Sequence, residues 1–471
     1  MTHVATARAA ENLHIDKSVF RAYDIRGVVD KNLTEHLAFQ LGLSFGSAAH
    51  DKNVKQVVVA RDGRLTGERL MANLKKGLAQ TGMEVIDIGM MPTPVLYFAC
   101  EHFKTYTGIM ITGSHNPADY NGFKMVLDGL PLAEQSIEEL YDRIKNQQYA
   151  FGEGSMRTED ITQAYIQAVC SEIQITKPLK VVVDCGNGVV GAIAEKFFTK
   201  LGVEFIGLYC DVDGNFPNHH PDPGQPTNLQ DLMQAVKQHK ADLGLAFDGD
   251  GDRLGIVTNQ GEIVWPDRLM MLFVKAVLEA EPNSKIIYDI KCSHHLGHYI
   301  KKLGGEPVMY KTGHSLIKRK MKELSAPLAG EMSGHFFFKH RWFGFDDACF
   351  SAAMLLEILS NDARARALSE MVADLATGVC TPEINVAILD SKKFTFIEQL
   401  KALQHFNDAK IITVDGLRVE FDYGWGLVRA SNTTPNLVLR FEGNSEADLT
   451  AIQQSFKEAM LKVDASLSIP F

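Results

Sequence analysis

Three carboxylates stand at alternate positions in the run Asp-Gly-Asp-Gly-Asp-Arg, which begins at Asp248. Carboxylates this close repel one another unless a cation neutralises them. The glycines between them let the backbone curl, so that oxygens of Asp248, Asp250 and Asp252 can converge on a hard divalent cation. An EF-hand would need glycine after the third acid and a closing glutamate, where this chain has Arg253 and Asn259. The spacing therefore predicts a Mg²⁺ site rather than an acidic surface turn.

A serine stands on a turn that follows an apolar run. Residues 106–111 predict a buried strand, and the Thr-Gly-Ser-His-Asn-Pro sequence at residues 112–117 breaks into turn-forming residues. Backbone N–H groups surround a serine on such a turn, which suits a phosphorylated or phosphate-handling hydroxyl. His115 is not its base, because adjacent side chains diverge and triads form through space. We interpret Ser114 as the carrier of a phosphoryl group.

Other polar loops have both a functional and an ordinary interpretation. Residues 330–335, Gly-Glu-Met-Ser-Gly-His, offer groups that can clamp sugar hydroxyls, although the same residues form ordinary polar turns. Residues 429–435, Arg-Ala-Ser-Asn-Thr-Thr-Pro, could cradle a phosphate, although such turns are also common without a function. Arg26, beside a glycine turn, could face an anion, or its segment could simply be a strand that enters a loop. The Gly-x-Gly-x-x-Gly at residues 186–191 is interpreted as a strand-to-helix turn, not a nicotinamide site.

These loops are positioned by a pattern that the chain repeats three times. Each copy has an apolar strand ending in charge, a helix, and a Gly-x-Glu step into a second strand. A third strand then runs into a polar loop, at residues 108–114, 244–250 and 327–333. Such alternation predicts α/β domains with mixed, largely parallel sheets. Because ligands bind outside the carboxyl ends of parallel strands, the three loops should face a central cleft.

The pattern changes near residue 378, where strands group between two helices, as in a smaller C-terminal α+β domain. At 471 residues the chain is too long for one core. Each predicted domain carries one of the polar loops, which are named here by their expected roles. The domains are residues 1–158 with the serine loop (residues 112–117), 159–262 with the metal loop (residues 248–253), 263–376 with the sugar loop (residues 330–335), and 377–471 with the phosphate loop (residues 429–435).

Composition limits the partners. A formal net charge of −10 disfavours nucleic acid and acidic membranes, but local Arg and Lys clusters can still bind a small anion. The seven cysteines form no CxxC pair, which favours reduced thiols. No apolar run approaches the length of a membrane span, and residues 1–13 lack the apolar core of a signal peptide. We expect a cytoplasmic protein that binds neither nucleic acid nor membrane.

Five segments together resemble the α-D-phosphohexomutase family, in the same order and spacing and over essentially the whole chain. They are residues 20–27, 112–117, 248–253, 330–335 and 429–435. Gly-Glu-Met-Ser-Gly-His and Arg-Ala-Ser-Asn-Thr-Thr-Pro are similar to the bacterial phosphomannomutase/phosphoglucomutase branch. Phosphoglucosamine mutases usually carry Gln where this chain has Met332.

The resemblance implies three similar α/β domains and a C-terminal domain that closes the cleft. It also implies that Ser114 is the phosphoserine and that Asp248, Asp250 and Asp252 hold Mg²⁺ together with a phosphoryl oxygen on Ser114. Glu331 and Ser333 would bind the sugar 3- and 4-hydroxyls. The substrate's non-reacting phosphate would be held by Arg429, Ser431, Asn432 and Thr433. The other matching positions that line the family's site are Tyr23, Arg26, Lys124, Arg253, Lys291, His314 and His335.

The predicted reaction interconverts hexose 1-phosphate and hexose 6-phosphate of mannose and glucose through hexose 1,6-bisphosphate, which also acts as activator. Arg26 or Arg253 would neutralise charge on the transferred group. Lys124 is the first candidate for the base, because a lysine crowded by cations can have a lowered pKa, and His335 is the second. The alternatives are a phosphoglucosamine mutase, a metal-dependent sugar phosphatase, and a sensor that binds sugar phosphates without turnover. We expect a monomer.

Overall fold

A computed structural model describes residues 15–403, 406, 409–431 and 434–471. The chain forms three α/β domains and a C-terminal domain. The N-terminal residues 1–14, which the resemblance did not explain, lie outside the described residues. Within that part of the chain, no helix has the length and apolar character needed to cross a membrane.

The first domain is built on a seven-stranded sheet. Its elements are β1 (Ile25–Val28), α1 (Glu35–Asp51), β2 (Gln56–Arg61), α2 (Gly67–Gln80), β3 (Glu84–Met90), α3 (Thr93–His102), β4 (Gly108–Ile111), β5 (Tyr120–Leu127), β6 (Leu130–Pro131), α4 (Gln135–Lys145) and β7 (Ser155–Thr158). All four residues of β4 are buried, as the apolar run before Ser114 predicts.

The second domain has a five-stranded sheet. Its elements are α5 (Thr162–Glu172), β8 (Lys180–Asp184), α6 (Ala194–Leu201), β9 (Glu204–Leu208), α7 (Gln230–His239), β10 (Leu243–Phe247), β11 (Leu254–Thr258) and β12 (Ile263–Val264). The glycine-rich residues 186–191 form the turn between β8 and α6, as predicted. Strand β12 pairs with β11, so this sheet extends two residues beyond the domain end predicted at residue 262.

The third and fourth domains complete the chain. The third contains α8 (Pro266–Ala280), β13 (Lys285–Asp289), α9 (His294–Lys302), β14 (Glu306–Tyr310), α10 (His314–Leu324), β15 (Leu328–Gly330), β16 (Phe336–Phe338), α11 (Ala348–Ser360) and α12 (Leu368–Ala373). The fourth contains β17 (Val379–Cys380), β18 (Ile384–Ala387), α13 (Lys393–Ala402), β19 (Lys410–Ile412), β20 (Leu417–Phe421), β21 (Gly424–Ala430), β22 (Asn436–Gly443) and α14 (Glu446–Val463). All strand pairs of the fourth sheet are antiparallel.

The internal repeat is confirmed by strand order. The first three sheets contain the paths β3-β2-β4-β5, β9-β8-β10-β11 and β14-β13-β15-β16. In each path the first three strands are parallel and the fourth is antiparallel. Strands β4, β10 and β15 are therefore equivalent, and the serine, metal and sugar loops leave their carboxyl ends. This topology confirms mixed sheets, each of which contains three neighbouring parallel strands.

An aromatic cluster joins the first three domains. Phe98 of α3 stacks on Trp342 with 5.9 Å between ring centroids, and Trp342 stacks on Phe350 at 4.6 Å. Tyr165 of α5 meets the edge of Phe98 at 5.5 Å. Large buried rings contribute strongly to packing, so this cluster helps to fix how the three domains, and their loops, sit relative to one another.

A buried arginine attaches the fourth domain to the third. Arg418 of β20 is fully buried, and its Nη1 donates to the carbonyl oxygens of Ile290 and Cys292 at 2.6 and 2.7 Å. Its guanidinium lies 3.8 Å from the ring centroid of Trp425, a cation–π contact. The chain just after β13 therefore carries the C-terminal domain.

Candidate active site

The metal loop contains a compact, fully buried group of carboxylates. Asp248, Asp250 and Asp252 each have no exposed surface, and one oxygen from each lies within 4.8 Å of the others. Asp248 Oδ1 accepts hydrogen bonds from the backbone N–H groups of Gly251, Asp252 and Arg253 at 3.0, 3.1 and 3.1 Å. Gly251 has φ +77°, which favours glycine. The glycines thus allow the curl that the sequence predicts.

Charge in this loop is unevenly balanced. Burial, and then the charges of Asp250 and Asp252, raise the pKa of Asp248. Burial also acts to raise the pKa of Asp250, but the ammonium group of Lys124 outweighs it, so that pKa is lowered. Arg253 also acts to lower the pKa of Asp248, so Lys124 and Arg253 bring two positive charges to three carboxylates, and excess negative charge remains when all three are ionised.

The donor set fits a hard divalent cation. Asp250 Oδ1 and Asp252 Oδ1 are buried and accept no hydrogen bond from any residue that the structure describes. Buried carboxylate oxygens without a partner are costly, and a cation at this position would satisfy them. An all-oxygen set of three carboxylates suits Mg²⁺, which keeps the remaining positions for water or phosphate oxygens.

Ser114 lies directly beside this loop, as predicted from strand equivalence. It has φ +49°, a left-handed conformation that is strained for a serine. Its Oγ donates to Asp248 Oδ2 at 2.8 Å, and only 3% of the residue's surface is exposed. Its backbone N–H donates to Thr112 Oγ1 at 2.7 Å. The turn therefore aims the hydroxyl at the carboxylates of the next domain.

Arg64, which the sequence analysis missed, holds the serine loop in place. Its guanidinium donates to four carbonyl oxygens of residues 114–120, at 2.5 to 2.9 Å. The residue is 1% exposed and lies beside Asp62, which accepts from Thr112 Oγ1 and the Gly113 N–H at 2.8 and 3.0 Å. Burial of the guanidinium lowers the pKa of Arg64. Arg64 and Asp62 therefore position the serine loop.

The internal repeat contains a signal for these missed residues. Asp62, Asp184 and Asp289 all stand at the ends of the equivalent strands β2, β8 and β13, and all three are buried. Asp289 Oδ1 accepts from the Met332 N–H at 3.2 Å, as Asp62 accepts from its own domain's loop. A buried aspartate at this position supports the neighbouring loop, which the aligned strand ends could have predicted.

Lys124, on β5, contacts carboxylates rather than cations. Its Nζ donates to Asp250 Oδ2 at 2.7 Å and to Asp252 Oδ2 at 2.5 Å. Burial acts to lower its pKa, but the aspartates outweigh burial, so the pKa of Lys124 is raised. The argument that neighbouring cations lower this pKa was wrong, because the lysine's partners come from the metal loop of another domain. Its role as a base stays a prediction.

Arg26 faces the serine loop, not solvent. Its Nη1 donates to the Gly113 carbonyl oxygen at 2.8 Å, and its Nη2 pairs with Asp24. The residue is 7% exposed, and its Nε is buried and makes no hydrogen bond to the described residues. A buried guanidinium next to Ser114 is placed to meet an anion there.

An arginine and two histidines lie next to the metal loop. Arg253 Nε donates to His335 Nε2 at 3.0 Å, while His335 Nδ1 lies 3.1 Å from Asp346 and 3.5 Å from Asp252. The ring of His314 stacks on that of His335, with 5.6 Å between centroids. Burial, together with the charge of Lys318, lowers the pKa of His314. Asp346, which no sequence motif indicated, thus orients His335.

Glu331, in the sugar loop, is almost fully buried and hydrogen-bonded. Glu331 is 2% exposed, its Oε1 accepts from the Gly313 N–H at 2.5 Å, and burial raises its pKa. Ser333 follows in the turn that the Gly334 N–H closes on the Glu331 carbonyl oxygen at 3.0 Å. Ser333 is half-buried and borders a small cavity beside Met332.

The phosphate loop lies at the end of β21. Arg429 Nε donates to Asp415 Oδ2 at 3.0 Å, and Asp415 outweighs burial to raise the pKa of Arg429. The Ser431 Oγ accepts from the Thr434 N–H at 3.1 Å and from Thr434 Oγ1 at 2.8 Å. The other two predicted phosphate ligands, Asn432 and Thr433, lie outside the described residues.

A cavity of about 380 Å³ lies between the first, third and fourth domains. Its lining includes Tyr23, Thr312 and Asp415, and the Tyr23 hydroxyl donates to the Thr312 carbonyl oxygen at 3.1 Å. Lys291, just after β13, pairs with Glu383 of the fourth domain at 3.2 Å. Tyr23 therefore lines a cavity beside the C-terminal domain, and Lys291 contacts that domain directly. Their roles in substrate binding stay predictions.

Comparison with known families accounts for nearly the whole chain. Residues 17–151, 162–261 and 265–378 match phosphoglucomutase/phosphomannomutase alpha/beta/alpha domains I, II and III, and residues 383–459 match the C-terminal domain of the same family.

Individual proteins agree with this assignment. The chain is 52% identical over 468 residues to a phosphomannomutase/phosphoglucomutase of Pseudomonas aeruginosa, covering 99% of this chain and 100% of the relative. It is 48% identical to a phosphoglucomutase of Neisseria gonorrhoeae, covering 94% and 96%. A crystal structure of a phosphoglucomutase/phosphomannomutase family protein from Burkholderia thailandensis is 47% identical and superposes with a TM-score of 0.92, covering 97% and 100%. The chain belongs to the phosphoglucomutase/phosphomannomutase family of α-D-phosphohexomutases and is an enzyme of the isomerase class.

The carboxylate cluster predicts that the stability of the protein depends on a cation. A ligand at a hundredfold excess over its Kd stabilises a protein by about 2.7 kcal/mol. We expect Mg²⁺ to raise the melting temperature of chelator-treated protein by several degrees in differential scanning fluorimetry. Asp248→Asn should lose most of this shift, because it removes one charged ligand, whereas Asp128→Asn, at an exposed aspartate, should keep it. Equal shifts in both variants would place the cation elsewhere.

Proposed function

We propose that Ser114, once phosphorylated, is the phosphoryl donor of a mutase that interconverts the 1- and 6-phosphates of glucose and mannose. The observation that carries this proposal is the 2.8 Å hydrogen bond from Ser114 Oγ to Asp248 in the buried carboxylate cluster. It brings a strained, positioned hydroxyl to a site that fits a divalent cation. The names of relatives that are about 50% identical over the full chain support the substrate class.

In the first half-reaction, the 6-hydroxyl oxygen of a hexose 1-phosphate attacks the phosphorus on Ser114. The bond between phosphorus and Ser114 Oγ breaks as the bond to the sugar oxygen forms, and the hydroxyl's proton passes to a base. Oγ takes up a proton as it leaves. The product is hexose 1,6-bisphosphate, bound in the cleft.

In the second half-reaction, the bisphosphate has turned over, so that its 1-phosphate meets Ser114 Oγ. Oγ attacks this phosphorus and loses its proton, the bond from phosphorus to the sugar O1 breaks, and O1 is protonated. Hexose 6-phosphate leaves and Ser114 is phosphorylated again. If the bisphosphate escapes first, the enzyme is left unloaded, which is why we propose that hexose 1,6-bisphosphate acts as an activator.

Positioning and charge neutralisation do most of the work in phosphoryl transfer. Arg26 and Arg253 flank the serine and metal loops and would meet the transferred group's oxygens. Mg²⁺ held by Asp248, Asp250 and Asp252, with a phosphoryl oxygen on Ser114 as a further ligand, would supply additional charge neutralisation.

Two side chains are candidates for the base. Lys124 is bonded to Asp250 and Asp252, which raise its pKa, so it is protonated unless those carboxylates are engaged elsewhere. His335 accepts a hydrogen bond from Arg253 at Nε2 and faces Asp346 through Nδ1. We retain both, with Lys124 closer to the carboxylates beside Ser114.

Substrate binding is assigned to the other two loops. Glu331 and Ser333 would hold the sugar 3- and 4-hydroxyls, with Tyr23, Lys291 and His314 also lining the site. Arg429, Ser431, Asn432 and Thr433 would hold the non-reacting phosphate, and Arg429 has the buried, ion-paired guanidinium that this role needs. We propose a monomer that acts in the cytoplasm, where free thiols such as the seven cysteines of this chain stay reduced.

The phosphoserine hypothesis predicts a covalent adduct. Intact-mass spectrometry of the purified protein should show a fraction carrying one phosphoryl group. Ser114→Ala should abolish this adduct and lower the activity at least about a thousandfold. Ser155→Ala, at an exposed serine of the same domain, is the control and should change neither. An adduct that persists in Ser114→Ala would show that another residue carries the phosphoryl group.

Glucose and mannose differ only at C2, so contacts to the 3- and 4-hydroxyls do not distinguish the two sugars. Glu331→Gln keeps the acceptor for the Gly313 N–H but removes the charge. Because a hydrogen bond to a charged group contributes about 1.5–3 kcal/mol, kcat/KM should fall about ten- to a hundredfold, by the same factor for glucose 1-phosphate and mannose 1-phosphate. Glu323→Gln, exposed in the same domain, should leave both unchanged. A loss confined to one sugar would contradict this account of specificity.

A further inference from the structure

Two cysteine thiols lie in contact directly behind the metal loop. Cys185 follows β8 and Cys210 follows β9, two neighbouring parallel strands, and their Sγ atoms are 3.6 Å apart. The Cys185 N–H donates to the Leu208 carbonyl oxygen at 3.0 Å, which holds the two strand ends together. The pair needs only a small displacement to reach the length of about 2.05 Å of a disulfide bond.

We propose that Cys185 and Cys210 form a reversible regulatory disulfide when the protein meets a hydroperoxide. The Cys210 thiolate attacks one peroxide oxygen, the O–O bond breaks, and a sulfenic acid forms with release of water or an alcohol. The Cys185 sulfur then attacks the Cys210 sulfur, which expels the hydroxyl as water after protonation. The two thiols lose two electrons and two protons in total, and the peroxide is reduced.

The surroundings assign the two roles. Cys210 is half-buried, so that a small peroxide can approach it, whereas Cys185 is fully buried. The hydrogen bond shared between the two sulfurs lowers the pKa of Cys210 and, together with burial, raises that of Cys185. Cys210 is therefore the residue that is oxidised first, and Cys185 is the resolving thiol.

The segments that follow the two cysteines are connected to the active-site loops by hydrogen bonds and packing contacts. On the Cys185 side, the Val189 N–H donates to the carbonyl oxygen of Gly249 in the metal loop at 3.1 Å. Asn187 connects the two sides, because its N–H donates to the Tyr209 carbonyl oxygen at 2.8 Å and its Nδ2 to the Asp211 carbonyl oxygen at 2.8 Å. A shift at either sulfur is thus transmitted to both strand ends.

On the Cys210 side, the chain continues into residues 210–222, here called the bridging segment. His220 Nε2 contacts the His115 carbonyl oxygen, and Asp222 lies 3.6 Å from His115 Nδ1. The ring of Phe216 lies 5.2 Å from the guanidinium of Arg64, which holds the serine loop. Drawing Cys210 toward Cys185 therefore pulls on the segment that packs against the Ser114 loop, and displacements near 1 Å can cost about a hundredfold in rate.

The test treats full-length, Mg²⁺-loaded protein with hydrogen peroxide under non-denaturing conditions. Peptide mapping without reductant should yield a linked pair of peptides that contain Cys185 and Cys210. The kcat should fall at least about tenfold in step with the linked fraction and recover on adding dithiothreitol. Cys210→Ser should form no such link and keep its kcat under peroxide, whereas Cys380→Ser, at the exposed cysteine, should behave like wild type.

Detection of the disulfide by mass does not depend on the proposed reaction. Only the kinetic readout, the change in kcat, rests on the proposed function. Absence of the linked peptides, or oxidation of Cys170 or Cys380 while Cys185 and Cys210 stay reduced, overturns the disulfide. A linked pair with unchanged kcat overturns its regulatory effect. If the phosphoserine mechanism failed, the linked peptides would still be detected by mass, and Cys185→Ala gives a second variant in which they must be absent.

Discussion

Three buried carboxylates that face Lys124 and Arg253 are the constraint on which the rest of the structure depends. Desolvating such charges costs several kcal/mol each unless partners surround them. The partners come from different domains: Lys124 and Ser114 from the first, and His335 from the third. The charge network and the aromatic cluster at Phe98 and Trp342 therefore fix the same domain arrangement, one by ion pairing and the other by packing.

The repeated topology explains why the reactive groups meet. Three equivalent strands end at a hydroxyl, at a carboxylate cluster and at the loop predicted to clamp the sugar, all at the same end of their sheets, where ligand sites in parallel sheets lie. Each sheet also places a buried aspartate at the end of the neighbouring strand, and two of these, Asp62 and Asp289, bond directly to the adjacent loop. The repeat thus supplies both the reacting groups and part of the scaffold that holds them.

Features that depend on short-range sequence spacing could be predicted, whereas contacts between residues far apart in the sequence could not. Ser114 and the three aspartates could be recognised as candidates because short-range spacing is enough to indicate a turn and a candidate cation site. Arg64 was missed because its four acceptors lie 50 to 56 residues away and belong to backbone, which has no side-chain signature. The pKa argument for Lys124 failed for a related reason: its partners lie 126 and 128 residues away in another domain. Sequence spacing could not show which charges would surround that lysine.

Phosphoryl transfer from Ser114 to the sugar is the step on which the proposed function rests. Enzyme loaded with a radiolabelled phosphoryl group from hexose 1,6-bisphosphate, then freed of that sugar, can be mixed with unlabelled glucose 1-phosphate for a single turnover. We expect the label to leave the protein and to appear on the 6-position of glucose 1,6-bisphosphate and glucose 6-phosphate. Label that stays on the protein while product forms, or that leaves as inorganic phosphate, would contradict this expectation.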